Sequence, residues 1–203
     1  MRLFLFLFLW PAMLFAQDVY QFIQNENKTE IPFELINNLI ILKVDINDVK
    51  LNLIFDTGIK QTILINLKPS DSLNLQHLKT KKFAGVGKDN LEIEGLSSRH
   101  NKIDLHNKIH NNDALIYIIT GTDFHFSESI GININGFIGG ELIKDFITKI
   151  DYRKQKIVFF KRDQFNFKPL KRTKKYHIDI TNDKPYMYAY LKVHKNAPKT
   201  DSL

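Results

Sequence analysis

The chain has 203 residues, 43% of them hydrophobic and 25% charged, a composition that fits one globular domain with appendages and excludes a disordered chain. Cysteine is absent, which removes disulfides, thiol nucleophiles, lipid-modified cysteines and Cys-based metal sites together. The formal charge of +7 raises the question of a polyanion ligand, but the basic residues gather late, in Lys161-Arg162 and from Lys168 to Lys175, and no aromatic residue stands inside either cluster. That pattern reads as a solvated linker, so nucleic acid is not an expected partner.

Residues 1–16 have the layout of a secretory signal peptide: Arg2 gives the positive charge, an apolar run follows, and Ala16 is the small residue before Gln17-Asp18. Cleavage after Ala16 would make the protein exported, whether periplasmic, cell-surface or secreted. Leu14 stands where a small residue is usual and Pro11 interrupts the run, so a retained membrane anchor is the alternative. The run is short for that, since a span needs about 20 apolar residues.

Residues 22–30 are mostly polar, and the β-branched stretch from Ile31 to Val44 then predicts strand. Asn47-Asp48 is a turn signal between two apolar runs, so Leu39 to Phe55 reads as a hairpin whose second strand alternates like a half-buried one. Gln61 to Ile65 is another short β-rich run, closed by the turn residues Lys68 to Ser72. Lys79 to Ala84 and Leu91 to Leu96 flank Gly85-Val86-Gly87-Lys88-Asp89-Asn90, a composition suited to a mobile hairpin tip. Ala114 to Ile119 has the length and apolarity of a buried strand, and Glu141 to Ile147 keeps helical spacing through Leu142, Ile143, Phe146 and Ile147. It is the one helix legible after the leader. Ile150 to Phe160 returns to strand, with a turn at Arg153 to Lys156. Lys161 to Lys175 is a basic linker containing Pro169, and a domain boundary is placed there. Tyr176 to Val193 then forms a shorter β unit before a polar tail.

The chemistry centres on Asp56-Thr57-Gly58, which follows an apolar strand. The tripeptide alone should occur by chance in roughly one chain in twenty to thirty. A plain β-turn, with Asp accepting backbone hydrogen bonds and Gly at positive φ, would explain it equally well. Three accompaniments change the balance: the apolar strand leading in, the glycine-tipped hairpin at 85–90, and Phe137-Ile138-Gly139 running into a helix. With these the sequence resembles the retropepsin-like aspartic peptidases over about Ile31 to Phe160. The 83 positions from Asp56 to Gly139 (139 − 56) exceed the spacing of compact viral members. Ile31-Pro32-Phe33-Glu34-Leu35 and Asn135-Gly136-Phe137-Ile138-Gly139 carry a closer likeness to the bilobal aspartyl peptidases of Bacteroidetes, some of which append a PDZ domain.

The resemblance implies a mainly β fold, a closed acid-protease-like barrel lobe over residues 17–160 with a flap hairpin and one short helix. It implies an aspartic endopeptidase with Asp56 catalytic, Thr57 locking paired loops together and Gly58 allowing close approach to the carboxylates. Gly85, Val86 and Gly87 would form the substrate-binding flap, and Phe137, Ile138 and Gly139 would cross beside the active-site loop. The substrate would be a polypeptide, with no cofactor and no metal. Two carboxylates that share one proton divide the work, one activating a water and the other donating to the peptide carbonyl, so one aspartate is insufficient. Asp-Thr/Ser-Gly does not recur in the chain. The second aspartate would come from a C-terminal lobe that residues 176–203 begin, because Tyr176 to Val193 repeats the strand, turn and strand that precede Asp56. Otherwise residues 176–203 are a closing hairpin, and a homodimer supplies the second copy of Asp56.

Three rival readings remain. His100, His106 and His110 could hold a metal, but turn-forming asparagines surround them and no Glu completes a zinc-enzyme signature, so they read as solvated loop histidines. Ser127 and Ser129 with His125 lack an orienting acid placed by the sequence. A non-catalytic exported barrel that binds peptides or a partner chain, with Asp56 as a turn residue, is the alternative from another class.

Overall fold

The computed structural model describes residues 19–68, 72–84, 92–120, 126–169, 171–181 and 184–190. Residues 1–18, which include the expected leader, Gly85, Val86 and Gly87 of the expected flap, and the tail after Tyr190 lie outside them. Among the described residues no helix is long and apolar enough to cross a membrane.

The fold is mainly β. In chain order the first half comprises β1 (Gln21–Phe22), β2 (Lys28–Pro32), β3 (Glu34–Ile36), β4 (Leu39–Ile46), β5 (Val49–Asp56), β6 (Ile63–Leu64) and β7 (Lys79–Ala84). There follow β8 (Glu92–Leu105), β9 (Ile109–Ile119), α1 (Phe126–Ile130), β10 (Gly136–Gly139), α2 (Gly140–Asp145), β11 (Ile147–Asp151) and β12 (Lys156–Phe160). A 3-10 turn at Arg162–Gln164 and the strands β13 (Asp179–Thr181) and β14 (Lys184–Tyr186) complete the series.

Local turn chemistry joins β3, β4 and β5. Asn37 and Asn38 have φ of 50° and 63°, and Asn47 and Asp48 have 46° and 67°. Positive φ at both central residues defines the hairpin turn whose twist matches the strands, and Asn and Asp are the non-glycine residues that tolerate it. The expected hairpin of residues 39–55 is therefore present, with Ile46 opposite Val49. The ring then runs from β4 to β5, on to β10, β6, β9 and β8, and back to β4. Six strands thus close a barrel, and closure leaves no bare edge within the ring. β7 extends β8 outward, pairing from Lys79 with Ser97 to Ala84 with Glu92. A second, three-stranded sheet of β11, β12 and β2 packs on the barrel, and Pro32 sits on its edge strand, where its missing N–H is tolerated.

The main core contains Leu42, Val44, Leu53, Ile103, Ile116 and Ile138, joined from the second sheet by Ile31, Ile157 and Phe159. A smaller cluster of Ile41, Ile54, Ile130 and Ile134 covers the opposite face of β4 and β5. This corrects the half-buried reading of β5: Leu51, Leu53 and Phe55 face the main core, while α1 and the residues after it bury Ile54. The five-residue α1 is too short to have a period in sequence.

The helix near the site also differs from expectation. α2 ends at Asp145, and Phe146 is already extended, with φ −124° and ψ 157°. Its ring stacks on Phe22 at 4.7 Å and packs on Phe159, so burial of an aromatic side chain ends the helix before its apolar period does. The histidines, expected on loops, separate. His100 and His110 lie in β8 and β9, and only His106 occupies a turn, with Asn107. The asparagines that suggested turns do other work: Asn101 and Asn111 are buried, and Asn101 forms part of a hydrogen-bonded irregularity in β8 with Ser98 and Asn47. The basic stretch after β12 is anchored at its start, where Arg162 Nη2 donates to the Ile143 carbonyl at 2.6 Å and Phe165 packs on Phe160. Beyond it β13 and β14 form a separate two-stranded sheet.

Candidate active site

Asp56 is the last residue of β5, half-buried where the strand meets its turn. The Gly58 N–H donates to Asp56 Oδ1 at 2.8 Å, and the Ile59 N–H to the Asp56 carbonyl at 3.3 Å. Gly58 does not have the positive φ that a plain turn would demand. A Cβ there would instead stand 3.3 Å from Asp56 Oδ1, so glycine at this position leaves room beside the carboxylate.

β10 runs parallel to β5 with Ile138 opposite Phe55 and Gly139 opposite Asp56. A Cβ on Gly139 would lie 2.2 Å from the Asp56 carbonyl oxygen, and one on Gly136 would lie 2.0 Å from that of Ile63. Backbones approach this closely only where no side chain intervenes. β10 is threaded between β5 and β6, and its entry is fixed by the buried Asn135. That side chain accepts the Asn52 N–H at 3.1 Å, while its backbone accepts the Ile65 N–H at 2.8 Å. At the exit the Gly140 N–H donates to the Ile59 carbonyl at 2.9 Å. Phe137 faces outward into the small cluster and Ile138 inward into the main core.

Glu141, the second residue of α2, faces the far limb of the Asp56 turn. Its carboxylate accepts the Thr62 N–H at 3.0 Å, the Thr62 hydroxyl, and the Tyr20 hydroxyl at 2.9 Å. Sequence reasoning did not single out Glu141, Thr62, Tyr20 or the side-chain role of Asn135. Thr62 lies in a run read only as strand, and a partner 79 positions away leaves no local signal.

The hairpin of β7 and β8 joins this assembly at its base. The Phe83 ring meets Tyr117 edge-on at 5.2 Å, and the Tyr117 N–H donates to the Thr62 carbonyl at 3.0 Å. Gly95 lets β8 approach Ile118, whose carbonyl would stand 2.3 Å from an added Cβ. Thr57 is exposed at the turn.

Among the described residues, His100, His106 and His110 do not come together. His100 bonds to Asp113 and meets His77 edge-on at 4.9 Å, His110 pairs with Gln21 across β1 and β9, and His106 lies apart in its turn. Among the described residues no three His, Asp or Glu side chains are grouped as metal ligands. The surrounding protein and then the Lys108 charge hold His106 below the ordinary imidazole range. Ser127 Oγ accepts the Ile134 N–H at 3.0 Å and so serves the loop after α1; His125 lies outside the described residues. A cavity of about 360 Å³ is lined by Phe22, Gln24, Lys28, Glu30, His106 and Lys108, away from the Asp56 turn.

The architecture is a mainly β, closed six-stranded barrel extended by the hairpin of β7 and β8 and accompanied by short helices. A retropepsin-like aspartic protease from Rickettsia conorii matches at a TM-score of 0.45 and 15% identity, covering 65% of this chain and 89% of that one. The EIAV protease complexed with the inhibitor HBY-793 matches at a TM-score of 0.33 and 18% identity, covering 52% of this chain and 85% of that one. No protein-family model matches the sequence. No curated protein matches it either.

Proposed function

We propose that the protein is an aspartic endopeptidase lobe in which Asp56 supplies one of two catalytic carboxylates. The observation that carries this reading is the pairing of Gly139 with Asp56: a strand from 83 positions away is held against the Asp-Thr-Gly turn, with glycine where any side chain would collide. A simple turn needs no such support. The half-buried carboxylate keeps one oxygen bonded to the Gly58 N–H at 2.8 Å. With a second carboxylate opposite, one ionised group would accept a proton from water as that water attacks the peptide carbonyl, and the protonated one would donate to the carbonyl oxygen. Their titration would belong to the pair. Thr57, exposed at the turn, would bond to the facing loop, and the hairpin of β7 and β8 would cover a polypeptide substrate. No cofactor or metal is required by this chemistry.

For the second aspartate we propose a C-terminal lobe that residues 176–190 open. Strand β13, the pair Asn182-Asp183 and strand β14 repeat the plan of β3, the pair Asn37-Asn38 and the start of β4. Each hairpin has three register pairs, Glu34 to Ile41 in one and Asp179 to Tyr186 in the other. Ile180, Tyr186 and Met187 are more than half exposed, whereas Ile41 and Leu42, the counterparts of the last two, are buried. Those apolar side chains are suited to the interior of a second barrel. The binding-module reading is favoured by one observation, the Gly58 to Asp56 bond, which would serve a turn without catalysis.

The deciding experiment compares wild type and Asp56→Asn, as the monomer, as any dimer, and as a chain extended at its C-terminus, on casein and peptide libraries with and without a pepstatin-like inhibitor. The expected result is cleavage that falls by about 10²–10⁴-fold in Asp56→Asn. Equal cleavage by the variant would defeat the assignment. A tight dimer that cleaves in an Asp56-dependent way would replace the second lobe by a second copy.

A further inference from the structure

Residues 20–22 are fastened to the candidate site by way of α2. Tyr20 is only 2% exposed; its hydroxyl donates to Glu141 Oε1 at 2.9 Å and its backbone N–H donates to Asp145 Oδ2 at 2.9 Å. Two residues on, Phe22 stacks on Phe146 at 4.7 Å with its plane within 4°, and Gln21 and Phe22 pair with His110 and Ile109. Residues 20–22 thus grip both ends of α2. From α2 the Glu141 carboxylate reaches across to Thr62, taking its N–H at 3.0 Å and its hydroxyl. Thr62 is fully buried and lies on the limb by which the chain leaves the Asp56 turn.

We propose that Glu141 and Tyr20 are positioning residues that tie the N-terminal segment to the return limb of the Asp56 turn, so that order in residues 58–62 depends on residues 20–22. The physical reason is the donor count. Thr62 N–H, Thr62 Oγ–H and Tyr20 Oη–H are three donors, and an ionised carboxylate has no donor of its own and about four acceptor sites. A neutral amide in the same place would set one N–H₂ group against those donors. Beside the bonds to the carboxylate, the Tyr117 N–H bond to the Thr62 carbonyl and the Gly140 N–H bond to the Ile59 carbonyl hold the backbone of the limb, so loss of the carboxylate removes the partner of the Thr62 N–H and hydroxyl and loosens the limb while β10 still holds the other. Placing Asp56 among catalytic groups rests on the peptidase reading, whereas the coupling of segment to turn does not.

Amide hydrogen exchange resolved to single residues tests this without substrate and without a second aspartate. In Glu141→Ala the amides from Gly58 to Thr62 should exchange about 10- to 100-fold faster, the loss expected for charge-assisted bonds. The hairpin of β11 and β12 should be unchanged. Tyr20→Phe, which keeps the ring and removes one donor, should accelerate the same window less, Glu141→Gln should fall between, and Thr62→Ser should restore protection that Thr62→Val loses. The proposal is overturned by unchanged exchange at Thr62 in Glu141→Ala, by equal acceleration in the hairpin at 147–160, or by a Tyr20→Phe variant that exchanges like wild type. If the alanine variant does not fold, the tyrosine and threonine variants carry the same decision.

Discussion

Gly139 carries more of the site than its size suggests. An added methyl would meet the Asp56 carbonyl oxygen at 2.2 Å and the carbonyl carbon at 2.7 Å, both backbone atoms that no rotamer change can move aside. Gly139→Ala should therefore separate β10 from β5. The expected cost is that of overpacking, about 1–3 kcal/mol, and denaturant melts should show it. Gly131→Ala, where an added Cβ has open space, should be limited to the strain of its +81° φ and leave the pairing of β5 and β10 intact. His106 gives the pH dependence. Its folded pKa is held below the unfolded value by its surroundings, so the unfolded chain binds the proton more readily. The contribution to stability is present above the unfolded pKa of about 6.5 and is lost as pH falls through the folded value. His106→Asn keeps a side chain that tolerates the φ of 57° and removes the titration. Thermal midpoints measured from pH 8 to 5 should fall less in this variant than in wild type.

At the scale of elements, the smaller cluster of Ile41, Ile54, Ile130 and Ile134 fastens α1 and the segment before β10 onto the outer face of the barrel. Ile134 is fully buried and directly precedes Asn135, whose side chain aligns β10. Ile134→Ala should cost about 2–5 kcal/mol, measured by chemical denaturation. Hairpins were the legible elements in the sequence because their information is local. Asn47-Asp48 announces its own turn, and the flanking apolar runs fix what lies on either side. α2 was legible through its period but not its end, because Phe146 leaves the helix to pack on Phe22 and Phe159, two residues remote in sequence. α1 was not legible, since five residues are fewer than two helical turns.

The whole barrel is a statement about distant pairings, which one sequence expresses only through motifs. Asp56, Thr57, Gly58 and the Phe137-Ile138-Gly139 segment could be matched because a resemblance supplied their adjacency. The parallel pairings of β5 with β10 and of β6 with β9 then give that adjacency a register. Glu141 and Tyr20 escaped notice because an isolated acid and an isolated tyrosine carry no motif. Closing the ring in this manner also has a temporal consequence. β10 enters between β5 and β6, so those strands keep unpaired edges until residues 136–139 arrive, and long-range and parallel pairings are the slow ones to form. A chain emerging from the ribosome therefore shows its Asp56 strand as an open edge for more than eighty residues of synthesis, the interval in which such edges invite aggregation. The turn that would do chemistry is completed only when the strand that supports it slides home.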